Sequence, residues 1–197
     1  MKEYKTIEIV TENNIKTVWL NRPEIHNAFN EEMIAELKDF FESSVDDEET
    51  RIIVLRGRGK SFCAGADINW MKSVVNYNFE KNYQEGLQLS KCLHAIYKCP
   101  IPTIAVVHGA AIGGANGLLA ACDFAYATDE TTFALSEVKI GIVPACISPY
   151  ILKRVGEYKA REIMITGKRF KGKGAEKYNL INGSFSESEL ETEIENV

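Results

Sequence analysis

The chain has 197 residues, a net charge of −5, and is 45% hydrophobic and 26% charged. That is enough chain for one domain with its own core, and the composition is that of an ordinary globular protein. The acidic balance argues against a general nucleic-acid binder, and no apolar run approaches the roughly 18 residues that a membrane span needs.

The N-terminus, MKEYKTIEIV, lacks the apolar centre of a signal peptide. Residues 6–10 and 15–20 are β-branched runs separated by Glu12-Asn13-Asn14, the pattern of a hairpin. Asn30 before Glu31 and Glu32 marks a helix start, and Met33, Leu37, Phe40 and Phe41 give that helix an apolar face. Residues 52–55 read as a buried strand. Asn78 caps a long helix to about Lys98, with Leu89, Leu93, Ile96 and Tyr97 on one side and Pro100 and Pro102 ending it. Residues 103–107 form another buried strand, followed by a glycine pair and a helix over 118–121. Strands follow at 123–128 and 132–134, then helices at 148–155 and 160–165, so the elements group as ββα. Ser186 with Glu189 forms a capping box, and Leu190, Ile194 and Val197 share one face of the helix it starts. We therefore divide the chain into a core over 1–185 and the start of a C-terminal helical segment over 186–197. The chain stops within that amphipathic pattern. The stripe needs a partner: this domain, a neighbouring subunit, or further helices that have been lost.

The five cysteines, Cys63, Cys92, Cys99, Cys122 and Cys146, form no C-x-x-C and are odd in number. They read as reduced, buried thiols of a cytoplasmic protein. His26, His94 and His108 are scattered, so no metal site is expected. RGRGKS ends like a phosphate loop, but Val54 stands where the first glycine is required, and the stretch reads as a basic surface turn. GGANG is not the dinucleotide pattern either. FCAGAD (62–67) and Gly113-Gly114 carry more. Gly65 permits an unusual backbone angle, and the glycine pair opens a helix whose N-terminal amides favour negative charge. Together they suggest two backbone N–H groups converging on one oxygen, the arrangement that holds a developing oxyanion. Asp67 and Asp123 read as turn or cap residues.

LNRPEIHNAFN, GKSFCAGADI, PTIAVVHGAAIGGANGLLAACD and FALSEVKIGIVPA, in that order, resemble the crotonase (enoyl-CoA hydratase) family from about Ile7 to Leu180. The resemblance implies an α/β fold, the crotonase spiral of stacked ββα units, here with its C-terminal helical region cut short. It implies an acyl-CoA thioester substrate, no cofactor beyond the coenzyme A that belongs to it, no nucleic-acid or membrane partner, and a homotrimer or homohexamer. By position, the oxyanion hole is the N–H of Ala66 and of Gly114. Substrate contacts fall on His26, Asn27 and Ala28, on Ala64, Ala66, Asp67, Ile68 and Asn69, on Gly113 and Gly114, and on Pro144. Arg22, Lys60 and Lys72 could reach coenzyme A phosphates, but read as solvated charges.

The departure is at the acids. Hydratases with two glutamates carry the first at the position of Gly117; Asn116 beside it is no base and reads as structural or pocket-lining. The second glutamate falls on Glu137. One carboxylate can move a proton between C2 and C4, which is a Δ3–Δ2 isomerase, or serve as both base and acid in syn hydration. GAAIGGANGLLAACD with FALSEVKIGIVPACISPYI is similar to the bacterial methylglutaconyl-CoA hydratase branch, whose members share the glycine. The expected activity is therefore hydration of a branched 2-enoyl-CoA such as 3-methylglutaconyl-CoA. Isomerisation and a catalytically silent acyl-CoA-binding or assembly role are the alternatives.

Overall fold

The structure, a computed structural model, describes residues 2–197. The first two β-branched runs form β1 (Ile7–Glu12) and β2 (Ile15–Leu20), antiparallel with Ile7 opposite Leu20. Asn13 and Asn14 turn between them at φ 49° and 64°, the left-handed pair that a two-residue hairpin needs. Strands β3 (Ile52–Gly57), β4 (Thr103–Val107), β6 (Phe124–Thr128) and β8 (Gly183–Phe185) extend the sheet in parallel, in the order β1-β2-β3-β4-β6-β8. All five residues of β4 are buried, as befits a parallel strand covered on both faces.

A second row of strand pairing runs beside the first. Phe29 bridges Ala66, Cys63 bridges Ala111, β5 (Ala110–Ile112) pairs in parallel with β7 (Thr132–Ala134), and Phe133 bridges Phe170. Most units thus give one segment to each row and then a helix. Helix α1 (Glu31–Ser43) starts where Asn30 Oδ1 accepts from the Met33 N–H at 3.0 Å, and it buries Met33, Leu37, Phe40 and Phe41. After α2 (Ile68–Val74), α3 (Phe79–Tyr97) starts where Asn78 Oδ1 accepts from the Lys81 N–H at 2.9 Å. Helix α4 (Ala115–Ala121) is buried along its whole length. Helices α5 (Ser148–Val155), α6 (Glu157–Thr166), α7 (Gly172–Lys177) and α8 (Glu187–Glu195) complete the chain.

Two residues of the C-terminal apolar stripe, Leu190 and Ile194, pack back on this chain, whereas Val197 lies beyond α8 and is exposed. Leu190 is buried with Val54, Ile104 and Val106, and Ile194 packs against the same cluster. Arg56 holds Glu191 through two hydrogen bonds of 2.6 and 2.7 Å. The capping box at Ser186 is formed. Four elements go beyond the sequence reading. Strands β5 and β8 are three residues each, too short to show alternation. Helix α2 begins directly after the FCAGAD loop motif, whose Asp67 caps it, and α7 contains two glycines. Gly172 of α7 is tolerated because a β-carbon there would lie 2.8 Å from the Thr128 carbonyl oxygen. Strand β6 starts one residue later than expected because the Asp123 carboxylate accepts from both the N–H and hydroxyl of Thr103, at 2.8 Å each.

All five cysteines are free; Cys63, Cys92 and Cys122 are fully enclosed, and burial pushes each of these thiols up to about 12. Among the described residues no helix is long and apolar enough to cross a membrane.

Candidate active site

The two loops singled out in the sequence are bonded to each other. The Cys63 N–H donates to the Ala110 carbonyl at 3.0 Å, and the Ile112 N–H donates to the Cys63 carbonyl at 3.1 Å. Gly65 sits at φ +93°, and a β-carbon there would be 2.7 Å from the Ile112 carbonyl oxygen, so only glycine fits this crossing. The Gly65 carbonyl accepts from the Phe29 N–H and the Phe29 carbonyl from the Asp67 N–H, both at 2.9 Å. The Ala66 N–H between them has no acceptor among the described residues.

The glycine pair does the same on the other side. Gly113, at φ +55°, donates its N–H to the Ala134 carbonyl at 2.7 Å, and its own carbonyl accepts from the Asn116 N–H at 3.0 Å. Gly114 caps α4, and its N–H likewise has no acceptor among the described residues. Ala66 and Gly114 line one cavity of about 250 Å³.

Glu137 lines that cavity too. Its Oε2 is buried and unpartnered, and burial pushes the carboxyl above its ordinary value of 4.5. A β-carbon at Gly113 would lie 3.2 Å from Glu137 Oε1, which places the carboxylate against the glycine pair. Among the described residues no lysine, arginine or histidine lines the cavity. Its remaining wall is largely apolar: Phe29, Trp70, Met71, Leu89, Ile112 and the loop 140–147.

Of the other predicted contacts, Ala64, Gly113 and Pro144 line the cavity, whereas His26, Asn27, Ala28, Asp67, Ile68 and Asn69 lie outside its lining. Asn27 is fully buried. It accepts from the Arg22 N–H at 2.9 Å and donates to the Arg58 and Ser61 carbonyls at 2.8 Å each, tying two loops together. His26 Nδ1 lies 3.0 Å from Ser61 Oγ, and the Ala28 carbonyl accepts from Arg22 at 2.7 Å. Arg22 is therefore not a solvated charge. It also pairs with Asp67 at 3.0 Å in a mostly buried ion pair. Burial would raise the Asp67 carboxyl, but the Asn69 N–H and Arg22 outweigh it and hold it below its ordinary value. Asp67 caps α2, and Ile68 and Asn69 are exposed on that helix's first turn.

Asn116 lies outside the cavity lining: it is fully buried and its side-chain amide faces three backbone carbonyls. At Gly117, a β-carbon would lie 2.3 Å from Ile147 Cγ2 and 3.4 Å from Leu93 Cδ1. The place from which a first glutamate would hang is thus closed by Ile147, itself part of the cavity wall. Sequence reasoning missed Phe29, Trp70, Met71 and most of 140–147. The signal for the last was an apolar run, IGIVPACI, with neither helical nor strand period.

The two rows of strand pairing wound through ββα units make this fold the crotonase spiral. The chain belongs to the enoyl-CoA hydratase/isomerase family, whose profile matches residues 10–197. Among curated relatives it is 32% identical to the peroxisomal Delta(3,5)-Delta(2,4)-dienoyl-CoA isomerase of Arabidopsis thaliana, over 98% of this chain and 75% of that one. It is 35% identical to the hydroxycinnamoyl-CoA hydratase-lyase of Pseudomonas fluorescens, over 95% of this chain and 69% of the relative. The crystal structure of an enoyl-CoA hydratase from Shewanella pealeana superposes with a TM-score of 0.94 at 35% identity, covering 98% of this chain and 72% of that one.

Proposed function

We propose that this protein is an enoyl-CoA hydratase that adds water in syn fashion to a 2-enoyl-CoA. The observation that carries the reading is the half-buried Glu137 carboxylate, with its buried, unpartnered Oε2, in the same cavity as two acceptor-free amides. In this reading the thioester oxygen accepts from the N–H groups of Ala66 and Gly114. Glu137 takes a proton from water as its oxygen attacks C3, and the resulting enolate is held by the two amides. Glu137 then returns a proton to C2, leaving H on C2 and OH on C3. Fixed amides favour the enolate over the ground-state carbonyl, and one such donor is typically worth about 3–4 kcal/mol of barrier. The reaction changes no overall oxidation state, so coenzyme A enters only as part of the substrate.

A distal carboxylate, as in 3-methylglutaconyl-CoA, would find no cation in the cavity wall and would face Glu137. We therefore read the acyl group as an uncharged hydrocarbon chain. The second reading is Δ3–Δ2 isomerisation, favoured by Gly117. With Ile147 against that position, no second carboxylate helps hold a water, and a 1,3-proton shift needs only Glu137. The free thiols suit a reducing compartment such as the cytoplasm. The family reading carries a homotrimer or homohexamer, which light scattering would measure.

The deciding experiment follows the absorbance of the conjugated thioester with crotonyl-CoA, 3-methylglutaconyl-CoA and 3-hexenoyl-CoA. Loss of absorbance with crotonyl-CoA supports hydration of an uncharged chain. Gain with 3-hexenoyl-CoA supports isomerisation. Turnover confined to 3-methylglutaconyl-CoA overturns the uncharged-chain reading, and binding without any change overturns both reactions.

A further inference from the structure

We infer that Asn116 is a positioning residue that aims the Gly114 amide into the cavity; this rests on the reading of that amide as an oxyanion donor. Asn116 is fully buried, and its Nδ2 lies 3.1 Å from the Ala111 carbonyl oxygen, 3.0 Å from that of Gly113 and 3.0 Å from that of Ala134. Three acceptors around one nitrogen fix which end of the amide faces them. The other end, Oδ1, is buried with no partner. An apolar side chain would fill this volume without an orphaned carbonyl. What it would lose is the donor.

The middle one of the three acceptors decides the role. The Gly113 carbonyl and the Gly114 N–H belong to one peptide unit. A trans peptide is planar, with N–H and C=O on opposite sides, so a hold on the oxygen sets the direction of the hydrogen. That oxygen is held twice, by the side chain and by the N–H of Asn116, each at 3.0 Å. Asn116 also shares the Ala134 carbonyl with the Gly113 N–H, so the peptide before the pair is pinned by the same residue. Two adjacent glycines have no β-carbons to resist a peptide rotation, and Asn116 supplies the restraint. On the other loop the Gly65 carbonyl accepts from the Phe29 N–H at 2.9 Å and from the Cys63 thiol at 3.8 Å, so the Ala66 amide is set without an amide side chain.

The test compares wild type with Asn116→Ala and Asn116→Ser, reading kcat and KM separately on whichever thioester the panel shows to be turned over. It adds the infrared carbonyl stretch of bound butyryl-CoA labelled at its carbonyl carbon, a saturated thioester that binds without reacting. In wild type the stretch lies below its value in water. In the variants it moves back toward that value, kcat falls about tenfold or more, and KM stays within about threefold. A folded variant with an unchanged stretch and kcat within about twofold of wild type overturns the inference. An unshifted stretch in wild type sinks the oxyanion reading itself, and this inference with it. If Asn116→Ala does not fold, Asn116→Ser carries both readouts. If neither gives a native circular dichroism spectrum, Asn116 is a folding residue and the inference is overturned.

Discussion

Glu137 and Gly114 are the residues on which the proposed chemistry turns, and each gives a separable test. Glu137→Gln keeps shape and volume but cannot accept a proton. It is expected to bind acyl-CoA as wild type does while turnover falls more than tenfold, a barrier increase above about 1.4 kcal/mol. Retained turnover with the glutamine would remove Glu137 as the proton-transfer group. Gly114→Val acts through space. A β-carbon at 114 would lie 2.5 Å from Cζ of Phe29, whose ring is buried between the two loops. Pushing that ring aside costs about 1–3 kcal/mol of stability. It should also displace the amide, lowering kcat about 100-fold or more. A folded valine variant with near-wild-type kcat would show that no reacting atom approaches that backbone.

At the scale of elements, α8 tests whether a short helix packed through one buried side chain is a working part of the sheet or only loosely attached to it. Leu190 is its one fully engaged side chain, covering Val54, Ile104 and Val106. Leu190→Ala should cost about 2 kcal/mol. Hydrogen exchange should quicken across 187–195, while α1 and α3 keep their protection. Uniform quickening would mean that α8 belongs to the cooperative core. The elements that were legible in the sequence are those with a strong local signal. Asn30 and Asn78 announced their helices by capping chemistry, and residues 103–107 announced a buried strand by apolar continuity. Strand β5 was not legible because pairing from another loop defines it, and helix α2 because its seven residues bury no side chain and so show no apolar period. The site divides in the same way. Ala66, Gly114 and Glu137, which line one cavity, were singled out through motifs, whereas the clamps made by Arg22, Asn27 and Asn116 depend on carbonyls and carboxylates that fold in from elsewhere.

The whole molecule brings together segments at 29, 64–66, 112–114 and 136–147 that no local rule connects, and it leaves Glu137 in their midst without a partner. That placement links the site to global stability. In the unfolded chain the carboxyl is solvated and titrates near its ordinary 4.5; in the folded chain burial raises it. Below the ordinary value it is protonated in both states and carries no charge penalty. Between the two values the folded chain keeps a proton that the unfolded chain has lost. Above the raised value the folded chain must hold a desolvated charge, so stability present at low pH is lost as pH rises through the folded value. Glu137→Gln abolishes this dependence. The variant's melting temperature should exceed that of wild type at neutral pH, and the gap should close below the ordinary carboxylate range. Differential scanning calorimetry across pH measures it. A gap that is absent at neutral pH, or constant at every pH, would mean that the carboxylate is not desolvated. The molecule would then have sacrificed no stability for its site.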